Sequence, residues 1–161
     1  MLVPFDSLPD EARVWIYQAD RKMTEDEVGT ILPKLEEFLT QWTAHGANLK
    51  AAFKMMYQRF IIIALDESEA AASGCSIDAS VHFIQGLEQQ MGLSLLDKLN
   101  VTYYNGPHIA HKSLADFKKM AKNRSVSKET IVFNNLVNTK GEFEEFWEVP
   151  AKESWHARFL A

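Results

Sequence analysis

The chain has 161 residues, enough to bury roughly two-thirds of its unfolded surface in one core without a disulfide or metal staple. Hydrophobic residues at 47 % and charged residues at 24 % exclude disordered, collagen-like and low-complexity classes. The single cysteine, Cys75, excludes an intramolecular disulfide framework and a zinc cluster built on several thiolates. Its 17 basic and 22 acidic residues give a net charge of −5, which argues against a general nucleic-acid binder.

No stretch between Met1 and Asp10 has the basic and then apolar character of an export signal. The longest apolar run, Phe60 to Leu65, is far short of the roughly 20 residues a membrane helix needs. A cytoplasmic protein with no membrane association is therefore expected. No repeat or Gly/Ser linker divides the chain, so we read one domain over residues 1–161. Its core spans about 12–106 and a C-terminal elaboration about 107–161.

Arg13 to Gln18 (RVWIYQ) is β-branched and aromatic and predicts a strand. Thr24 with Glu27 forms a capping box, and Val28, Ile31, Leu32, Leu35, Phe38, Leu39 and Trp42 then recur at helical spacing. This helix is expected to run to Gly46, with a kink or break at Pro33. Leu49, Ala51, Phe53, Met55 and Tyr57 alternate with Lys50, Lys54 and Gln58, as in a strand with one wet face. Phe60 to Leu65 is apolar throughout and predicts a central strand. Ser73 to Ser76 opens a second helix that Gly92 ends, with Ile77, Val81, Ile84, Leu87 and Met91 inward. Val101 to Tyr104 is a strand closed by the turn Asn105-Gly106-Pro107. The order strand, helix, strand, strand, helix, strand predicts an α+β fold with a ferredoxin-like split βαβ core, two helices on one face of an antiparallel sheet. Beyond it come a basic helix near Ser113 to Asn123, a strand-like Thr130 to Leu136, and an aromatic tail with Phe143, Phe146, Trp147, Trp155 and Phe159.

The chemistry concentrates in Ser73-Gly74-Cys75-Ser76-Ile77-Asp78. Three hydroxyl-rich or flexible residues and a thiol lie at the start of a helix, where free amides and the helix dipole favour an anion. That anion is either a bound phosphate or carboxylate, or the thiolate of Cys75. Asp78 opposes both. Ser73, Gly74, Ser76 and Asp78 are candidate ligand-binding residues, joined by Arg59 and Asp66 at the two ends of the buried strand. Cys75 is a candidate nucleophile, with His45 as its base. His45 is expected at the C-terminus of the first helix. His108 and His111 lack partners at ligand spacing, so no metal and no cofactor is expected. Asp66-Glu67 after the apolar strand has the look of a Walker B segment, but no G-x-x-x-x-G-K-[ST] loop exists to cradle a nucleotide.

Between Lys112 and Lys128, six cations face one acid, Asp116. Intramolecular neutralisation by Glu142, Glu144, Glu145, Glu148 and Glu153 is expected in preference to a phosphate-rich ligand. The tail aromatics are expected to cover the open face of the sheet from within the chain, or else to bury against a second copy; a monomer or a homodimer follows.

The strings Trp42-Thr43-Ala44-His45-Gly46, Arg59-Phe60 leading to Asp66-Glu67, and Ser73-Gly74-Cys75-Ser76-Ile77-Asp78 resemble those of a family of uncharacterised bacterial proteins, chiefly from Bacteroidetes. The resemblance extends to Lys118–Lys128 and to Phe146-Trp147-Glu148-Val149-Pro150. Members often carry the label ABC transporter ATPase, an activity whose phosphate-binding loop this chain lacks. The resemblance implies a cytoplasmic bacterial protein. The leading expectation is a module that binds a small anionic ligand or a protein partner through loop 73–78; the alternative is a thiol-dependent enzyme or redox-responsive protein using Cys75.

Overall fold

The strand Phe60–Asp66 is buried along its whole length, and two layers of the protein are built against its two faces. The computed structural model describes residues 1–160. In chain order the elements are β1 (Arg13–Gln18), α1 (Glu25–Gln41), β2 (Thr43–Ala44), β3 (Ala47–Asn48), β4 (Lys50–Met56), β5 (Phe60–Asp66) and α2 (Gly74–Met91), followed by β6 (Val101–Asn105), β7 (His108–Lys112), α3 (Leu114–Lys122), β8 (Ile131–Phe133), α4 (Lys140–Phe146) and β9 (Glu148–Pro150). Short 3-10 turns flank this series at both ends. The fold is α+β.

β5 pairs antiparallel with β1 on one side and with β4 on the other, giving a first sheet ordered β1-β5-β4. β6 pairs with β7 and β8, and with β9 they form a second antiparallel sheet ordered β7-β6-β8-β9. The fourth strand of the expected core therefore lies outside the first sheet. The free edge of β1 is instead met by the chain ahead of α4, where the Val14 amide donates to the Asn138 carbonyl at 2.9 Å and Arg13 bridges Thr139.

Side-chain alternation sorts the residues into three packed groups. Ile61, Ile63 and Leu65 of β5 pack with Ile31, Leu35 and Leu39 of α1 and Ile84 and Leu87 of α2. Phe60, Ile62 and Ala64 point the other way, onto Phe5, Phe133, Phe143 and Trp147. Val101, Tyr103 and Val132 of the second sheet face away from the first, onto Phe117 of α3. The layers thus run helices, sheet, sheet, helix, with the tail aromatics Phe143 and Trp147 in the middle. Self-coverage of the first sheet is what the structure adopts.

Three local expectations change. α1 runs through Pro33 unbroken, because Pro33 and Gly29, whose carbonyl loses its donor, both lie on the exposed side where water replaces the bond. It ends at Gln41, not at Gly46. The second face of β4 is covered: Ala52 and Met56 join the group around Phe60, and the Lys54 ammonium lies 4.8 Å from the Phe5 ring centroid.

Candidate functional site

The segment after α1 and the start of α2 meet at one end of the first sheet, where Lys50 of β4 pairs with Asp66 of β5. Trp42, the C-cap of α1, turns the chain into a two-residue hairpin in which Ala44 opposes Ala47. His45 and Gly46 occupy the turn with φ of 50° and 79°, the double positive φ of a type I′ turn. Histidine tolerates this region better than bulkier residues, and glycine adopts it freely. His45 is therefore a hairpin-tip residue and not the last residue of a helix, which corrects the sequence expectation. The indole of Trp42 fastens the hairpin to α2: its Nε1 donates to the Ser76 carbonyl at 2.9 Å, and its ring packs edge-on against Trp15 and tilted against Phe38.

A pocket of about 560 Å³ opens between these segments, with Phe38, Trp42 and His45 on one wall and Ser73, Cys75 and Ser76 on the other. The structure brings Cys75 and His45, 30 positions apart in sequence, to the same pocket. Cys75 is exposed.

The two serines are already committed. The Ser73 hydroxyl oxygen accepts the Ser76 amide at 3.1 Å, and the Ser76 hydroxyl oxygen accepts the Ser73 amide at 2.7 Å, a reciprocal capping box. The Ser76 hydroxyl also donates to the Ser73 carbonyl at 2.9 Å, and Ser76 is buried. The hydroxyls therefore hold the helix start rather than reach into the pocket. Among the described residues the amides of Gly74 and Cys75 have no protein acceptor, as the geometry of a helix N-terminus requires. A Cβ built on Gly74 meets nothing within 4 Å, so the space beside this residue is open.

The remaining candidates are dispersed. Gly74 and Asp78 are exposed but are not among the residues lining the pocket. Asp66 and Glu67 serve the connecting loop: Asp66 accepts the Ser68 amide at 3.0 Å and Glu67 accepts the Ala72 amide at 2.9 Å. The Ser68 amide, with Lys50 at 3.9 Å, holds the Asp66 carboxyl below its ordinary range. Two carboxylates occupied in this way explain the Walker-B-like letters as loop closure. Arg59 lies at the opposite end of β5, roughly 20 Å away by strand rise, where its Nη2 donates to the Ile109 carbonyl at 3.1 Å. It does not belong to this pocket.

The expected neutralisation of the basic segment does not occur. Among the described residues no ion pair joins Lys112, Lys118, Lys119, Lys122, Arg124 or Lys128 to the tail glutamates. Glu144 lies 3.6 Å from Lys140, Glu148 accepts the Tyr104 hydroxyl, and Glu142 accepts the Thr139 hydroxyl in the cap of α4. Among the described residues no group of three or more His, Cys, Asp and Glu side chains is arranged to hold a metal ion, and no helix is long and apolar enough to cross a membrane.

The sequence reading missed the part played by Trp42, which it counted as one more inward residue of α1. The available signal was an indole directly ahead of a short polar segment ending in His-Gly, where a buried N–H needs an acceptor from another element. Comparison of the chain with protein-family models, with curated proteins and with solved structures finds no match.

Proposed function

We propose that this chain is a binding module for a small anionic ligand, with its site in the pocket between the His45 hairpin and the start of α2. One observation carries the reading: the partnerless amides of Gly74 and Cys75 stand at the positive end of an 18-residue helix, beside a pocket that His45 also lines. The Ser73–Ser76 box contributes by holding those amides in place. In this reading the protein is cytoplasmic, acts as a monomer or homodimer, and belongs with the bacterial family that its Trp42–Gly46 and Ser73–Asp78 strings resemble. We also read the fold as a variant of the ferredoxin-like split βαβ plan. Supporting this, β1 and β4 are both antiparallel to the β5 strand inserted between them, so α1 connects two parallel strands.

A thermal-shift panel of nucleotides, sugar phosphates and carboxylates tests the site on the wild type and on Gly74→Asp. The variant places a carboxylate on the first turn, where it favours the helix and repels an incoming anion. At least one compound is expected to raise the melting temperature of the wild type and not that of the variant. Equal shifts in both proteins, or no shift with any compound, overturn the reading.

A second reading is supported by the exposure of Cys75 in the pocket that His45 lines: thiol chemistry with His45 accepting the proton. The rate of alkylation by iodoacetamide between pH 5 and 9 separates the two. An activated thiol reacts well below the ordinary thiol value of about 8.5, and His45→Asn, which suits the positive φ, moves the profile upward. A profile that follows an ordinary thiol, unchanged by His45→Asn, leaves the binding module alone.

A further inference from the structure

At the end of β5 remote from Cys75, three chain reversals converge. They are the connection after β1 carrying Lys22, the β4–β5 turn carrying Tyr57, Gln58 and Arg59, and the β6–β7 turn, after which His108 opens β7. Between them lies a cleft of about 580 Å³ lined by Lys22, Tyr57, Gln58, Arg59 and His108, a volume ordinary for small-molecule sites.

Its charge is one-sided. Among the described residues neither Lys22 nor Arg59 forms an ion pair. Arg59 is half-buried and spends one donor on the Ile109 carbonyl, which leaves most of the five donors of its guanidinium uncommitted. The nearby carboxylates lie outside the lining: Asp20 accepts the Ser94 amide at 3.0 Å, and Glu148 accepts the Tyr104 hydroxyl at 2.8 Å behind Tyr57, whose pKa it helps to raise. Burial alone lowers the Arg59 pKa, with no carboxylate acting against it.

The cleft is also held in shape. Tyr57 and Gln58 have φ of 57° and 53°, an uncommon pair of non-glycine residues in the left-handed region. The Tyr57 ring is fixed by stacking on Trp147 and by an edge contact with Phe133, while 40 % of the residue stays exposed. The Ala19 and Met23 amides donate to the Arg59 and Gln58 carbonyls at 2.7 Å each, which ties the Lys22 connection to the turn.

We infer that this cleft is a second ligand site, separate from the α2 pocket, that takes a small polyanion bearing phosphate or carboxylate groups. Arg59 and Lys22 neutralise the charge, and His108 and the Gln58 amide stand beside them as further donors.

Isothermal titration calorimetry at low ionic strength tests this with two probes, inorganic pyrophosphate and citrate. They distinguish a phosphate-bearing from a carboxylate-bearing ligand. At least one is expected to bind saturably to the wild type. Lys22→Gln, a change on an exposed side chain, and Arg59→Lys, each made in the Gly74→Asp background so that the α2 pocket does not bind the probes, should weaken that binding about 3- to 10-fold. A circular-dichroism melt shows whether Arg59→Lys is folded, and Lys22→Gln carries the test if it is not. Absence of binding by both probes in Gly74→Asp, or the affinity of Gly74→Asp retained when Lys22→Gln is added to it, overturns the inference.

Discussion

Gln18, the last residue of β1, is buried between the two sheets and joins them through its amide. Its Oε1 accepts the Thr102 hydroxyl and the Asn135 amide, both at 2.9 Å, and its Nε2 donates to the Asn100 carbonyl at 2.7 Å. Since the one Thr102 proton goes to Gln18, His111, whose Nδ1 lies 3.0 Å from the Thr102 hydroxyl, carries its hydrogen on Nδ1. Gln18→Leu strands several of these groups and should cost about 2–3 kcal/mol in urea unfolding. A cost under about 0.5 kcal/mol would mean that the network does not join the sheets. His156 supplies a pH test. It is 1 % exposed, its Nε2 has no partner, and burial pushes its pKa down to about 4. The unfolded chain protonates this imidazole below about 6.5 while the fold keeps it neutral to about 4. Stability therefore falls as pH drops from 6.5 to 4, by at most about 3 kcal/mol, and His111, lowered by burial, adds with the same sign. Glu27, held at about 2 chiefly by Arg21, loses its contribution as pH falls from its ordinary value near 4.5 to about 2 and so overlaps only the lower end of that window. His156→Phe should flatten the decline, and an equally steep decline in the variant would contradict this assignment.

Among the elements, α2 was the most legible. Ser73 and Gly92 mark its two caps, with Gly92 left-handed at φ 64°, because capping residues act through local backbone groups that the sequence lists in order. Ser73→Ala should cost about 1 kcal/mol in thermal unfolding; no loss would mean that the box does not hold the helix start. The end of α1 was illegible because Trp42 continues the apolar spacing of the helix while its indole N–H is satisfied 34 residues later, at Ser76. The His-Gly turn lacks the Asn-Gly or Asp-Gly lettering that announces a hairpin. Trp42→Phe keeps most of the ring and removes that bond. It should lower stability by about 1 kcal/mol and free the hairpin from α2, read as faster exchange of the Leu49 amide, which donates to the Trp42 carbonyl at 3.0 Å. Unchanged exchange would show that the hairpin is held by other contacts.

At the scale of the molecule, the first sheet is covered on one side by α1 and α2 and on the other by Phe5, Phe133, Phe143 and Trp147. The surplus of aromatics in the tail was legible as a lid, but not its route, because nothing local in Val101–Tyr104 distinguishes a fourth strand of the first sheet from the first strand of a second. That choice depends on the chain near Asn138, which takes the free edge of β1. Deleting residues 142–161 removes Phe143 and Trp147, and the product should aggregate or unfold; a folded monomer in size-exclusion chromatography with light scattering would contradict the lid. The same packing fixes the two ends of β5, and with them the pocket of His45 and Cys75. The proposed function puts an anion on the amides that open α2, at the edge of that pocket. The direct measurement is a titration of the ¹⁵N-labelled protein with inorganic phosphate, followed residue by residue. The account predicts saturable shifts of the Gly74 and Cys75 amides together with the neighbouring His45 hairpin, lost in Gly74→Asp. Saturable shifts elsewhere with Gly74 and Cys75 stationary, or no saturable shift at all, would contradict it.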